Sequence, residues 1–315
     1  MKKLYKYYSS NLNIESYLAE PTIRICQLNV LNDPFEGFIT QDVLDKLVNR
    51  AHPTLPRNKG ASYSEIYHAR KHIRNQIDSI GISSFSETSR NLLMWSHYAS
   101  EHKGICIGYK MPLIKAHSSR EIPLPKLRKV NYDSLLFDHE YIELLKNKSI
   151  DTDTVMVEIG ERILTTKSDS WSYEKEHRYI TPIERCNIIK YQKSKSSIPK
   201  YIEAAINKAV SENSHRIIEE DSHITLISKR TTRQLIESLT NPESVEMQMK
   251  QSKDVMFLKK VSKTSIDSIY FGAKIRAVAA EEIAEKIKEN ETYKDIKLYH
   301  YKKSTNRYEI EPIPL

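Results

Sequence analysis

Over some short stretches of this chain apolar and polar residues alternate or apolar residues cluster. In other stretches apolar residues recur every three to four positions. The short stretches predict strands at residues 4–8, 23–28, 80–85, 104–109, 129–132, 177–183, 266–271 and 296–301. The repeats predict helices at residues 14–18, 41–50, 62–78, 91–99, 135–147, 152–166 and 278–288. Residues 196–250 are polar and favour helix for most of their length. Because strands and helices follow one another irregularly, we expect an α+β fold.

The chain of 315 residues is long enough to bury a full core. We expect a single domain over residues 1–315, with a mainly helical elaboration at about 190–255. No apolar run is long enough to span a membrane, and the basic N-terminus lacks the apolar segment of a secretion signal. The three cysteines form no CxxC pair, so neither a disulfide framework nor a zinc site is expected. These features predict a cytoplasmic protein that does not contact membranes.

The charge balance is basic, with 49 lysines and arginines against 41 aspartates and glutamates, a net charge of +8. Such a balance favours an anionic partner, either nucleic acid or a phosphorylated cofactor, although lysine-rich solubility explains it equally well. Basic clusters near residues 70–74 and 229–233 are the candidate phosphate contacts. Neither GxGxxG nor GxxxxGK[ST] occurs. Glu65, His68 and His72 share a helix face, but the sequence offers no obvious further metal ligand to complete a site, so no metal site is expected.

Two carboxylates precede an apolar strand. Glu174 and Glu176 are two residues apart, so in a strand they would face the same side, where like charges repel unless a site uses them. A carboxylate at the start of a buried strand can bind a ribose hydroxyl and stabilise an oxocarbenium-like transition state. The alternative is that the two glutamates pair with Lys175, Arg178 or Arg185 at a sheet edge.

Both tryptophans of the chain lie in motif-rich segments. Trp95 and Tyr98 belong to a short predicted helix, and Trp171 lies just before the two glutamates. Aromatic faces can stack on a nicotinamide or a base, which contributes about 1–3 kcal/mol per stacked base. The alternative for Trp95 is ordinary packing of the helix into a core.

Seven short motifs are spread along the chain: LYKY at 4–7, NDPFE at 32–36, FSE at 85–87, LMWSHY at 93–98, GICIG at 104–108, WSYEKEHR at 171–178 and IYFG at 269–272. On these motifs the chain resembles a widespread bacterial family that is catalogued mostly as a domain of unknown function and occurs among phage-defence genes.

The order of these motifs also resembles that of the ADP-ribosyltransferase superfamily, whose split β-sheet holds NAD. In that superfamily a first strand contacts the nicotinamide ribose, and Lys6 occupies the position of its histidine. A glutamate that opens a later strand is matched by Glu176, and Glu174 matches the first residue of the Glu-x-Glu pair of some members. The chain departs from the pattern at Lys6 and at Ser84, which replaces a stacking tyrosine. Trp95, Tyr98 or Trp171 would then have to supply the stacking surface.

The resemblance implies an ADP-ribosyltransferase-like split β-sheet core with peripheral helices, and NAD as substrate. In this hypothesis Glu176 holds the ribose 2′-hydroxyl and stabilises the oxocarbenium, while Glu174 deprotonates or orients the acceptor. The residues expected to bind NAD are Tyr5, Lys6, Tyr7, Asn32, Ser84, Ser86, Trp95, Tyr98 and Trp171.

The implied function is a toxin or phage-defence effector that transfers ADP-ribose to nucleic acid, RNA or DNA. Because such an activity would harm its own cell, we expect an inhibitory antitoxin, with or without a chaperone, docked on residues 196–250 or at the cleft mouth. The alternative is a non-catalytic module that binds nucleic acid or a partner through residues 70–74 and 229–233. A nuclease would need clustered acidic metal ligands, and Asp151 with Asp153 alone do not supply them.

Overall fold

The chain folds around one large sheet with helices packed against it. The computed structural model describes residues 2–51, 63–113, 126–194, 197–231, 234–235, 237, 241 and 243–315. Arg233, part of the second basic cluster, lies outside the described residues. No helix within the described ranges is long and apolar enough to cross a membrane.

Short strands make up most of the framework. Their bounds are β1 Lys3–Tyr8, β2 Thr22–Gln27, β3 Ile80–Ser86, β4 Ile105–Lys110, β5 Lys126–Lys129, β6 Asn131–Asp133, β7 Thr166–Ser168, β8 Glu176–Pro182, β9 Ile188–Gln192, β10 His215–Glu219, β11 His223–Ser228, β12 Val255–Lys260, β13 Ile266–Phe271, β14 Lys297–Lys303 and β15 Ile310–Pro314. Thirteen of these described strands form one sheet in the order β10-β11-β9-β12-β2-β3-β1-β4-β13-β14-β15, with β8 on β3 and β5 on β8.

Helices cover the sheet and fill its connections. Their bounds are α1 Ile14–Ala19, α2 Gln41–Ala51, α3 Tyr63–Asp78, α4 Leu92–Tyr98, α5 His139–Lys146, α6 Thr152–Thr165, α7 Lys200–Ser211, α8 Val245–Met249 and α9 Ala277–Glu289. Within the large sheet β13 and β14 pair in parallel, joined through α9, while its other described pairs are antiparallel. A mixed fold with a mostly antiparallel open sheet confirms the α+β class.

The apolar residues predicted to face inward form three clusters. The largest lies along the main sheet under α1, α7 and α9. A second joins α2, α3, α5 and α6 through side chains such as Leu44, Leu47 and Val155. The third packs Trp95 among aromatic side chains of β1, β13 and β14. These clusters hold the strands that carry the candidate site.

The main sheet divides at β3. Along one edge β3 pairs with β8 over its full length. Along the other edge, Ile82 pairs with Cys26 of β2 while Ser86 pairs with Tyr5 of β1. Strands β1 and β2 therefore diverge from a shared neighbour, and a cleft opens between them.

The segment at 190–255 differs from the prediction of a mainly helical elaboration. It contains α7 and α8, but strands β9 to β12 extend the main sheet through it. In β11, Ile224 and Leu226 are buried while Thr225 is partly exposed. This alternation covers only three residues with polar neighbours, so the sequence pattern did not indicate a strand there.

Two other strand predictions also change. The segment 129–132 is divided between β5 and β6 at Val130, whose amide donates to the carbonyl of Glu176 at 3.0 Å. The strand at 296–301 does not close the sheet, because β15 follows and pairs with it. Strand β15 was not predicted, because Pro312 and Pro314 argue against a strand in the sequence. A strand at the end of a sheet nevertheless tolerates proline.

Candidate functional site

The cleft where β1 and β2 separate contains a bridging lysine. Strand β3 pairs with β2 as far as Ile82 and pairs with β1 at Ser86. Between them, Lys6 on β1 donates from Nζ to the carbonyl oxygen of Ser84 at 2.9 Å. Burial lowers the pKa of Lys6, although Cys26 and Glu176 oppose that shift. Lys6 thus donates a hydrogen bond to the carbonyl of Ser84, which pairs with neither β1 nor β2 on this edge of β3 among the described residues.

The two predicted glutamates reach this cleft through a chain reversal rather than along one strand. Glu174 ends a 3₁₀ turn, Asp169–Glu174, and Glu176 begins β8. Between them Lys175 adopts a left-handed backbone, with φ 46°, which costs a non-glycine residue about 1–2 kcal/mol. Ser86 Oγ donates to the carbonyl of Glu174 at 2.7 Å, and the amide of Glu176 donates to Tyr132 Oη at 2.7 Å. These bonds hold the reversal in place.

A buried ion network joins both glutamates to a third carboxylate. Lys167 Nζ lies 2.8 Å from Glu174, 3.5 Å from Glu36 and 3.8 Å from Glu176. Arg178 contacts both oxygens of Glu176, at 3.0 and 3.2 Å, and Glu36 at 2.6 Å. All five side chains are at most 5% exposed. With three carboxylates and two cations, the ionised network carries a net charge of −1.

The network shifts the pKa values of its members in different directions. Burial opposes the charge on Glu176, but Arg178 and Lys167 outweigh it and lower the pKa of that carboxyl. Burial raises the pKa of Glu36, helped by the charge of Glu176 and opposed by the two cations. Burial works against the ammonium of Lys167, yet the three carboxylates raise its pKa overall. Glu176 and Lys167 are therefore held in their charged forms.

A tyrosine closes the other side of Glu174. Tyr98 Oη on α4 donates to Glu174 Oε1 at 2.5 Å and accepts from Asn32 Nδ2 at 2.8 Å. Burial and the neighbouring Glu174 carboxylate raise the pKa of Tyr98, so its hydroxyl stays protonated and remains a donor. Glu174 is thus fixed between a neutral donor and the Lys167 cation.

These groups line one pocket of about 200 Å³. Nine of the eleven predicted site residues line it: Tyr5, Lys6, Tyr7, Asn32, Ser84, Ser86, Tyr98, Glu174 and Glu176. Its other lining residues are Cys26, Leu31, Glu36, Phe85, Met94 and Lys167. The cleft therefore combines carboxylate, hydroxyl, amide and ammonium groups with apolar walls.

The two tryptophans do not line this pocket. Trp95 is fully buried, donates from Nε1 to the carbonyl of Ser89 at 2.7 Å, and packs edge-on against Tyr7 and Tyr301. This is the core packing that the sequence left open as its alternative. Trp171 is partly exposed, and Lys167 Nζ lies 4.5 Å from its ring centroid. Trp171 therefore borders the ion network.

Sequence reasoning missed the two other charged lining residues, Glu36 and Lys167, as well as the structural role of Arg178 behind them. Glu36 ends the NDPFE motif, which was a usable signal. Arg178 entered only as a possible partner at a sheet edge. Lys167 gave no signal, because a single lysine between a helix and a turn resembles a solvated side chain.

The basic clusters of the alternative hypothesis differ in exposure. On α3, Lys71, His72 and Arg74 are exposed, while Arg70 Nε pairs with Asp45 at 2.7 Å. In the second cluster Arg230 is buried against Glu246 and is not a surface cation. The first cluster is the better candidate for phosphate contact.

Residues 94–179 match a family model described as "Protein of unknown function (DUF2971)". The matched stretch runs from α4 to β8 and includes the positions of Tyr98, Lys167, Glu174 and Glu176. Comparison with curated proteins and with solved structures finds no match. The predicted resemblance to a family of unknown function is thus confirmed over these residues. The links to phage defence and to ADP-ribosyltransferases stay predictions.

Proposed function

We propose that this chain is an NAD-dependent ADP-ribosyltransferase whose cleft pocket holds the nicotinamide ribose. The observation that carries the proposal is the convergence of Glu174, Glu176, Tyr98 and Lys6 in one pocket of about 200 Å³. Pockets for drug-sized ligands measure about 300–1,000 Å³, so this one suits a ring with its sugar rather than a whole dinucleotide. The adenosine half of NAD then extends out of the pocket.

The electrostatics of the pocket support this chemistry. Transfer of ADP-ribose builds positive charge on C1′ of the nicotinamide ribose. A buried network with three carboxylates and two cations, held in place before the substrate binds, complements such charge without reorganisation. Because each carboxylate oxygen has two lone pairs, Glu176 can accept from the ribose 2′-hydroxyl while it holds Arg178.

The proposed reaction breaks one bond and forms one. The bond between C1′ and the nicotinamide nitrogen breaks, and its electron pair leaves with neutral nicotinamide. A nucleophilic oxygen or nitrogen of the acceptor bonds to C1′, and its proton passes to Glu174. Tyr98 and Lys167 fix the position of Glu174 during this step.

Labelled NAD, mixed with the protein and with RNA, DNA or cell extract, tests the proposal. We expect transfer or NAD loss by the wild type and a loss of about 10²-fold or more in Glu176→Gln. Glu246→Gln is the matched control, because Glu246 is also buried against an arginine but lies outside the pocket. Absence of NAD loss under every condition would show that the proposal is wrong.

Nucleic acid is the acceptor that the net charge of +8 favours. Transfer to RNA or DNA should therefore fall steeply with salt, by about 10³-fold between 50 and 200 mM if six or more phosphates are contacted. A reaction that ignores salt, or label found only on protein, would contradict a nucleic-acid acceptor.

A toxin or defence effector of this kind needs restraint by an inhibitory partner, with or without a chaperone. Strand β10 lies at the end of the main sheet, and an edge strand is a surface on which another chain can add a strand. Expression of the protein alone should slow growth, and expression with its neighbouring genes should restore it. Unimpaired growth with the protein alone would contradict this part of the proposal.

A second candidate is the non-catalytic binding module, favoured by one observation. Both carboxylates are already satisfied within the protein: Glu174 by Tyr98 and Lys167, and Glu176 by Arg178. In that case the network serves stability, and α3 supplies the binding surface. Glu176→Gln would then retain nucleic-acid binding and biological effect, whereas the transferase loses its effect and keeps binding.

A further inference from the structure

A second pocket adjoins the first and shares part of its wall. It measures about 140 Å³, and Glu36 and Lys167 line both pockets. The second pocket lies between the turn at residues 33–38 and the loop at residues 133–137. Whatever occupies it therefore lies against the ion network of the first pocket.

The mouth of the second pocket is apolar and exposed. Phe35 is 55% exposed and Phe38 47%, and their rings meet edge to face with centroids 6.1 Å apart. Leu135 and Leu136, 56% and 37% exposed, lie among the other lining residues. Large apolar side chains that stay in water around a pocket are typical of a binding surface.

The inner wall, in contrast, holds polar atoms that lack partners. Glu36 Oε2 and Thr166 Oγ1 are buried and make no hydrogen bond with any residue that the structure describes. Glu36 itself is only 2% exposed as a side chain. A buried acceptor without a donor costs free energy, and a ligand that brings an N–H group recovers it.

Both walls are held in place without a ligand. Arg162, which is 8% exposed as a side chain, donates to Asp133 Oδ2 at 2.7 Å and to the carbonyl oxygens of Leu135 and Leu136 at 2.5 and 2.9 Å. Across the pocket, the amide of Phe35 donates to Asp33 Oδ1 at 2.9 Å. The pocket is thus formed in advance, which reduces the ordering that binding requires.

We infer that this second pocket binds a planar aromatic ring with an amino group at its edge, namely an amino-bearing nucleobase. The faces of such a ring are apolar and pack against Phe35 and Phe38, while its amino group donates to Glu36 Oε2. Because Glu36 and Lys167 separate the two pockets, the bound base lies beside the carboxylates at which C1′ of NAD would react. Binding of the base is independent of the proposed transferase, and only its role as the acceptor rests on that proposal.

Cytidine and uridine test the inference directly, because cytidine carries an amino group at C4 where uridine carries an oxygen, and N3 of cytidine is an acceptor where N3 of uridine bears a hydrogen. Calorimetric titration with each nucleoside, without NAD, should show cytidine binding at least about tenfold more tightly. Phe35→Ala with Phe38→Ala should weaken cytidine binding by about tenfold or more, since the stacking surface is lost. Tyr308→Ala is the matched control, because Tyr308 is a fully exposed aromatic residue outside both pockets, and it should bind like the wild type.

The results separate this inference from the proposed function. Equal binding of the two nucleosides, or a cytidine preference that survives loss of both phenylalanines, would overturn the second site and leave the transferase untouched. If the protein does not consume NAD, the proposed transferase activity is wrong. A cytidine preference that depends on Phe35 and Phe38 would still establish the second pocket as a binding site. Thr166→Val supplies a milder variant that keeps both aromatic rings, and weaker cytidine binding in it supports the polar wall.

Discussion

Lys167 Nζ lies 2.8 Å from Oε2 of Glu174, and each side chain is at most 5% exposed. The same ammonium also lies within 4 Å of two further carboxylates. Lys167→Met keeps the length and the apolar stem but removes the charge, so three carboxylates remain with Arg178 alone. Loss of one partner from a buried ion pair costs about 3–5 kcal/mol, and we expect a decrease of that size in the free energy of unfolding. Urea denaturation at pH 7 measures it.

A surface lysine provides the comparison for this substitution. Lys193 Nζ pairs with Glu219 at 2.7 Å, but that glutamate side chain is 65% exposed. Because exposed pairs contribute at most about 1 kcal/mol, Lys193→Met should change the free energy of unfolding by less than that. Equal losses in the two variants would mean that the buried network does not depend on its shared cation.

Removal of the Tyr98 hydroxyl should impair activity more than stability. Tyr98→Phe deletes the donor to Glu174 Oε1 and the acceptor for Asn32. A hydrogen bond to a charged group contributes about 1.5–3 kcal/mol, so some destabilisation is expected. If Glu174 handles the acceptor proton, NAD turnover should also fall, because the carboxylate is no longer fixed.

Tyr293→Phe separates these two effects. Tyr293 Oη donates to the carbonyl of Leu18 at 2.9 Å and is outside the pocket. Loss of this neutral hydrogen bond should lower stability by about 1 kcal/mol and leave turnover unchanged. Equal turnover in Tyr98→Phe and the wild type would remove Tyr98 from the mechanism.

A buried carboxyl outside the pocket should make stability depend on pH. Burial raises the pKa of Glu184 from 4.5 to about 7, with Glu246 adding to the shift. Since the folded state holds the proton more tightly, the contribution of Glu184 is full below pH 4.5 and is lost as pH rises through about 7. The loss amounts to about 3 kcal/mol above pH 7.

Glu184→Gln removes this titration while it keeps the shape of the side chain. The variant should therefore gain stability relative to the wild type between pH 4.5 and pH 8, by up to about 3 kcal/mol. Urea denaturation of both proteins at the two pH values measures the difference, in which the titrations of other groups largely cancel. A difference that stays flat, or that changes in the opposite direction, would contradict the role of Glu184.

Local patterns predicted much of the framework correctly. The helix predicted at 14–18 lies where it was expected, and Asn13 caps it, because Asn13 Oδ1 accepts from the amide of Ser16 at 2.9 Å. Strands with clear alternation, such as β2, also lie where they were expected. Such elements follow from interactions between residues near in sequence, which a pattern records directly.

The remaining features depend on contacts between distant segments. Lys167 and Glu36 are far apart in the chain, and only the fold brings their charges within 3.5 Å. Lys175 has a left-handed backbone that directs both glutamates into one pocket. Because this position is a lysine and not a glycine, the sequence does not indicate that conformation. Residues near in sequence do not encode these relations, so the ion network could not be derived from spacing.

The two tryptophans give the last prediction, because the fold places them in different surroundings. Trp95 is fully buried among aromatic side chains, so Trp95→Ala should cost about 3–5 kcal/mol of unfolding free energy. Trp171 is partly exposed and its ring lies near the buried Lys167 ammonium, a contact that contributes about 0.5–1 kcal/mol at exposed sites and about 2 kcal/mol when the cation is desolvated. Trp171→Ala should therefore cost less stability than Trp95→Ala, at most about 2 kcal/mol. If the proposed transferase is correct, this variant should also consume NAD more slowly, because Lys167 is held less firmly beside Glu174. Urea denaturation together with NAD turnover measures both effects, and a stable Trp95→Ala protein beside an unstable Trp171→Ala protein would contradict the assignment.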